Sequence, residues 1–166
     1  MKELIFVRHA KSDWENESVK DIDRHLNERG YRDAYDMGEW FEHTHPKPDA
    51  ILSSTATRAL NTALIVARSM QFPMNHFYLH EQLYEVRLPV LTDFLLRLPE
   101  PFNRVMLFGH NPATTEVCNE LAEDWYCDNI PTCGLVSMQF KIEHWKDLRS
   151  KTGKILYYRF PKEFKQ

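Results

Sequence analysis

No charge of one sign dominates this chain: 21 lysines and arginines stand against 24 aspartates and glutamates, a net charge of −3 over 166 residues. A general electrostatic attraction to nucleic acid or to an anionic membrane is therefore excluded as a working principle, and any anion site has to be built locally. Long hydrophobic runs are missing too. None approaches the ~20 apolar residues that a membrane-crossing helix needs. The N-terminus enters directly on Lys2 and Glu3, with no secretory apolar segment, so a cytoplasmic location is expected. Cysteine is scarce. Cys118, Cys127 and Cys133 are odd in number and lack C-x-x-C spacing, which points to free thiols in a reducing compartment rather than a zinc site, a redox pair or a disulfide framework. Internal repeats, low-complexity tracts and linkers are also absent, so a single domain over 1–166 is expected, close to the size of a common domain of about 100 to 150 residues. What is present is ordinary globular material, 43% hydrophobic and 27% charged, which rules out disordered and collagen-like classes and leaves enough apolar mass for a core.

Leu4 to Val7 is a continuous apolar run that stops on Arg8 and His9, the pattern of a short strand buried on both faces and ending at a polar loop. Lys11 to Arg29 has the composition of a long loop. Tyr31, Ala34, Tyr35, Gly38 and Phe41 then recur at helical spacing, and the prolines at 46 and 48 close that segment. Ala50 to Leu52 reads as a second strand. Thr55 is expected to cap the next helix, whose stripe of Ala56, Ala59, Leu60, Ala63, Leu64 and Ala67 puts Arg58 in the first turn. Phe77 to Leu79 reads as a weak third strand, and Leu91, Phe94, Leu95 and Leu98 as a short helix. Val105 to Phe108 repeats the first pattern, ending on Gly109 and His110, with Asn111 and Pro112 as cap and first turn of another helix. Leu135 to Phe140 and Ile155 to Phe160 complete the set as an antiparallel edge pair, and Lys162 to Gln166 reads as a solvated tail.

Alternating strands and helices predict an α/β fold: a three-layer sandwich with a mostly parallel central sheet, helices on both faces and an antiparallel edge. In such sheets the ligand crevice lies beyond the carboxyl ends of the strands. Arg8 and His9 follow the first strand, Arg58 follows the second and His110 follows the fourth. Alone, each would read as a surface turn, a solvated helix residue or a cap neighbour; together they converge. Two arginines and two histidines in one crevice repel unless an anion sits between them, and guanidinium forks match phosphate oxygens. A neutral imidazole can attack phosphorus and divide hydrolysis into two displacements, while the arginines and the second histidine stabilise the equatorial oxygens without a metal.

The motifs that carry these residues are recognisable. The run FVRHAKSDW resembles the R-H-G signature of the histidine phosphatase superfamily, and the segments DIDRHLNERG, SSTATRALNTA and LFGHNP resemble its further motifs in the family's order, from Leu4 to roughly Leu121. Length and the DIDRHLNERG segment are most similar to the SixA-type phosphohistidine phosphatases. The resemblance implies that His9 is the phosphorylated nucleophile, that Arg8, Arg58 and His110 form the phosphate pocket, and that Arg24 sits at its rim. Two positions depart from the pattern: Ala10 stands where the family has glycine, and His25 where it has proline. Leu83-Tyr84-Glu85 matches the L-x-E stretch whose glutamate protonates the leaving group in larger relatives, which makes Glu85 the candidate acid. An imidazole leaving group needs little acid help and an alkoxide much more.

The implied activity is a metal-independent phosphatase without cofactor, acting on protein phosphohistidine and releasing inorganic phosphate, with neither nucleic acid nor membrane as partner. Two other readings stay open: a small-molecule phosphomonoesterase using Glu85, and a phosphate-binding module without turnover. A mutase fits poorly, because the chain is short for the insertions that enclose a sugar phosphate. His43 with His45 and His76 with His80 have spacings that raise a metal site, but no carboxylate completes either set, and the four are expected to be exposed. Trp14, Trp40, Trp125 and Trp145 are expected to pack rather than stack on bases.

Overall fold

A computed structural model describes residues 1–164. Strand β1 (Lys2–Arg8) leads into a long loop, then α1 (Glu28–Thr44), β2 (Ala50–Ser54), α2 (Thr57–Ser69), β3 (Phe77–His80), α3 (Leu88–Leu96), β4 (Arg104–Gly109), α4 (Ala113–Leu121), β5 (Leu135–Phe140), β6 (Lys154–Arg159) and a last turn of helix, α5 (Pro161–Phe164). The six strands form one sheet in the order β3-β2-β4-β1-β5-β6. β3, β2, β4 and β1 run parallel, while β5 pairs antiparallel with both β1 and β6. The mostly parallel sheet with an antiparallel edge is the expected one.

Alternation along the strands divides the core between the two faces. Leu4 and Phe6 of β1, with Leu52 and Leu107, pack under α3 and α4 through Leu91, Leu95, Val117 and Leu121. Ile5, Val7, Ile51, Met106 and Phe108 pack on the opposite face against Met37 and Phe41 of α1 and Ala63 and Val66 of α2. Each such fully buried large apolar side chain contributes roughly 1.5–3 kcal/mol. Strands that face helices on both sides must be apolar throughout, which is why β1 reads as an unbroken run in the sequence.

Several local expectations are corrected. Helix α1 begins at Glu28 because the Asn27 side chain accepts a hydrogen bond from the Gly30 N–H, ahead of the first apolar repeat. Gly30 is required there: a Cβ at that position would stand 2.1 Å from the Lys11 carbonyl oxygen. Thr55 does not cap α2; Ala56 occupies the cap position without a side-chain bond, and Ser54 Oγ accepts the Ala56 N–H at 3.2 Å. Helix α4 starts one residue later than expected, at Ala113, although Asn111 Oδ1 still accepts the Thr115 N–H at 3.2 Å. The C-terminal segment is not a solvated tail as far as it is described, because α5 packs on α1 with Phe164 5.2 Å from the Trp40 ring; residues 165 and 166 lie outside the described residues. Of the four histidines expected to be exposed, only His43 is. His45 stacks on Tyr157 at 4.0 Å, and His76 and His80 are half-buried against Phe102 and Phe94. Cys118, Cys127 and Cys133 are free thiols. No helix among the described residues is long and apolar enough to cross a membrane.

Candidate active site

The carboxyl ends of β1, β2 and β4 open on one side of the sheet, and the loops that leave them line a cavity of about 260 Å³. Arg8, His9, Arg24, Arg58 and His110 all line it, joined by Lys11, Ser12, Trp14, Asp21, Asn111 and Thr132. Of the six residues singled out from the sequence, Arg8, His9, Arg58 and His110 were expected to meet and do. Arg24, expected at the rim, belongs to the buried lining, at 8% exposure. Glu85 is not brought in: it is exposed, in a left-handed backbone conformation with φ 53°, and does not belong to that lining. A larger groove of about 600 Å³ lies between β3 and α3, lined by residues such as Tyr78, Val90, Phe94 and Phe102, and contains none of these groups.

His9 is fixed by its own chain. Its N–H bonds to the Gly109 carbonyl at 3.1 Å, which extends the β1–β4 pairing by one residue, and its Nδ1 lies 2.7 Å from the Ala10 carbonyl oxygen. A carbonyl only accepts, so Nδ1 carries the proton and Nε2 keeps the free lone pair. Ala10 is held in turn by donating its N–H to Thr62 Oγ1 of α2 at 3.0 Å. The ring is buried, and burial first, then the charges of His110, Arg58 and Arg8, draws its pKa down to about 3 against the bond to Ala10. His9 is therefore neutral near pH 7. The His110 ring stands 5.2 Å away, with Nε2 2.8 Å from Ser54 Oγ; burial and then Arg58 bring its pKa down to about 4.

The arginines are anchored at their tips. Arg8 donates from Nη1 to the Ile130 carbonyl at 2.8 Å. Arg58 donates from Nη1 to the Asp21 carbonyl at 2.7 Å and from Nη2 to Asp21 Oδ2 at 3.1 Å. Arg24 binds Ser12 Oγ at 2.6 Å and Asp21 Oδ1 at 3.1 Å. Asp21 also accepts the Tyr84 hydroxyl at 2.5 Å; that bond, with the Arg58 charge, holds its carboxyl down to about 2. Three buried polar atoms remain without a hydrogen-bond partner among the described residues of this cavity: Arg8 Nε, Arg58 Nε and His110 Nδ1. Buried polar groups are normally paired, and the three residues that carry these orphans all line one small cavity, which fits a polar ligand held there. Arg8, Lys11, Arg24 and Arg58 on that lining face a single carboxylate, Asp21, so the ligand is an anion.

Sequence reasoning did not find Asp21, Ser54, Thr62, Tyr84 and the Ile130–Thr132 segment. Asp21 lies inside DIDRHLNERG, and Ser54 and Thr62 inside SSTATRALNTA, so the motifs held the signal. Nothing in the sequence marks Ile130 to Thr132. That segment reaches the site because β5 is antiparallel: its beginning lies beside the end of β1, where the Cys133 N–H, turned by a φ of 61°, meets the carbonyls of Arg8 and His9 at 3.0 Å. The exposure of Trp14, 67%, corrects its expected role in packing; its ring lies 3.4 Å from the Arg24 guanidinium carbon.

A family model for the histidine phosphatase superfamily (branch 1) matches residues 4–93. An uncharacterized protein of Mycobacterium tuberculosis is 27% identical over 165 residues, covering 94% of this chain and all of that one. Among solved structures, a protein from Agrobacterium tumefaciens assigned as the phosphohistidine phosphatase SixA superposes with a TM-score of 0.81 at 25% identity, over 96% of this chain and 98% of its own. The protein histidine phosphatase SixA complexed with tungstate gives a TM-score of 0.82 at 17% identity, over 97% and 98% of the two chains.

Proposed function

The chain belongs to the histidine phosphatase superfamily and is a phosphatase of that family, and from this premise we propose that it hydrolyses protein phosphohistidine through a phosphohistidine intermediate on His9. The observation that carries the reading is a neutral histidine, its tautomer set by the Ala10 carbonyl, beside three unpartnered buried atoms of Arg8, Arg58 and His110. Nε2 of His9 attacks phosphorus while the bond from phosphorus to the substrate imidazole breaks, and that imidazole leaves with the bonding electron pair and takes up a proton from solvent. Water then attacks the phosphoryl group in line, the bond from phosphorus to Nε2 breaks, and inorganic phosphate leaves. Arg8, Arg58 and His110 stabilise the equatorial oxygens in both displacements, with Arg24 completing the positive lining. Positive charge supplied by the three arginines fills the role a divalent ion plays in other phosphatases, so the proposed reaction needs no metal.

The proposed substrate follows from the leaving group and from the shape of the site. Glu85 lies outside the lining, so the reaction relies on a leaving group that departs without a strong acid, as imidazole does. A cavity of about 260 Å³ admits a phosphorylated side chain presented by another protein, whose surface then covers the site. The proposed setting is the cytoplasm, in keeping with three free thiols.

Rapid quenching with a radiolabelled phosphohistidine protein tests this. The expected result is an acid-labile, base-stable label on His9, formed equally in the presence of chelator. Label on a serine or cysteine, or turnover lost in chelator and restored by a divalent ion, would overturn the mechanism.

A further inference from the structure

Three of the four tryptophans pack: Trp145 is fully buried, and Trp40 and Trp125 are half-buried against the core clusters. Trp14 differs: two thirds of its surface is exposed, and it lines both the cavity that holds His9 and a neighbouring groove beside Glu28, Tyr31 and Arg32. It is not loose. The Arg24 guanidinium lies 3.4 Å from the centre of its ring system, and that guanidinium is itself buried and tied to Ser12 Oγ and Asp21 Oδ1. A cation held against an indole fixes the ring and gives it a set direction. The loop behind it is pinned as well: Ser12 bridges to Leu26, and the Asp13 N–H bonds to the His25 carbonyl at 2.8 Å. Burial does not account for an exposed indole braced in this way at the mouth of a phosphate-sized cavity. A flat group on the ligand does.

We propose that Trp14, braced on Arg24, is the leaving-group platform of this site and stacks the planar ring that carries the phosphoryl group, an imidazole rather than an aliphatic chain. The inference rests on the phosphatase reading above and deepens it by assigning the contact that selects the leaving group. Aromatic faces stack on any planar π-system, so phenyl and imidazolyl phosphates share the platform. The Asp21 carboxylate on the same lining is an acceptor for the ring N–H of a phosphoimidazole protonated on its second nitrogen, a donor that phenyl phosphate lacks. Serine, threonine and glycerol phosphates offer neither a face nor that donor.

The test compares kcat/KM on phosphoimidazole, phenyl phosphate and glycerol phosphate for the wild-type protein, Trp14→Ala and Trp14→Phe. Losing the platform should lower the ratio of phosphoimidazole to glycerol phosphate by about fivefold to tenfold, the scale of one aromatic stacking contact, with the change carried mainly by KM. Trp14→Phe keeps a flat face and should recover most of that ratio. An equal loss on all three substrates would mean that the indole only braces Arg24, and would overturn the inference while the phosphatase reading stands. A loss confined to phenyl phosphate would overturn the assignment to imidazole. If the wild-type protein hydrolyses none of the three, the phosphatase reading fails and the platform fails with it.

Discussion

The two ends of β1 both bury charge, and they treat it in opposite ways. At the amino end, Lys2 is 2% exposed, and its ammonium donates to the carbonyls of Glu100 and Phe102 and to Asn103 Oδ1 at 2.8 to 3.0 Å, using all three of its protons. Beside it, the Glu3 carboxylate accepts from Arg104 at 2.6 Å and from Ser137 at 2.7 Å. At the carboxyl end, Arg8, Arg58 and His110 keep buried atoms without partners. A buried charge that is fully paired serves the fold, whereas one left unpaired costs stability that only a ligand returns. The same strand therefore carries a structural end and a chemical end, and substitutions should separate them.

The largest effect is expected at the chemical end. His9→Ala should abolish turnover and labelling while near-UV circular dichroism stays native, and Arg58→Ala and His110→Ala should each lower kcat by about a hundredfold or more, the scale for removing one transition-state donor. Steady-state assays on purified variants check this. If His9→Ala keeps even a tenth of the activity, the nucleophile lies elsewhere. Lys2→Met should do the reverse. It leaves the carbonyls of Glu100 and Phe102 without their donor and should cost about 1–3 kcal/mol in urea unfolding, with kcat/KM per folded molecule unchanged. A variant that lost activity at full stability would erase the distinction between the two ends.

Acid sharpens the same contrast. His9 and His110 are held down to about 3 and about 4 in the folded protein, whereas unfolded histidine titrates near 6.5. Between those values the unfolded chain binds more protons, so stability that is fully present above about pH 6.5 is lost as the pH falls toward 4 and then 3. Asp21, held down to about 2 from 3.8, loses its contribution in the lower window between those values. Urea midpoints measured from pH 7 to 4 should therefore fall for the wild-type protein and fall less for a double variant with His9→Ala and His110→Ala. Equal slopes would show that the two imidazoles are not buried in the neutral state.

How far the sequence goes follows the same division. The parallel strands were legible because strands covered on both faces must be apolar from end to end, and Arg8, which ends β1, His110, which follows β4, and Arg58, in the first turn of the helix after β2, stand out beside them for that reason. Arg24 was legible only through the motif that contains it. Three features were not. The Ile130–Thr132 segment joins the site because of the reversed direction of β5, which no local pattern records. Asp21 reads as one acid among many until Arg24, Arg58 and Tyr84 close on it. Trp14 reads as a packing residue because an aromatic side chain carries no sign in its sequence of which side of a loop it occupies, yet it is exposed.

Glu85 gives the smallest expected effect, and it tests whether motif position or geometry decides a role. Its neighbour Tyr84 points inward, with its ring 5.7 Å from His110 and its hydroxyl on Asp21. With φ at 53°, Glu85 turns the chain, and its side chain is exposed outside the cavity lining. A general acid has to reach the leaving atom directly or through one water. Glu85→Gln keeps the shape and removes the proton, so it should change kcat/KM on phosphoimidazole by less than about twofold, within the ±0.5 kcal/mol of an ordinary surface substitution. On glycerol phosphate, whose alkoxide needs a proton, the effect should be equally small. A loss of tenfold or more confined to glycerol phosphate would mean that the loop turns Glu85 inward when substrate binds, and would return to it the acid role that its place in Leu83-Tyr84-Glu85 implies.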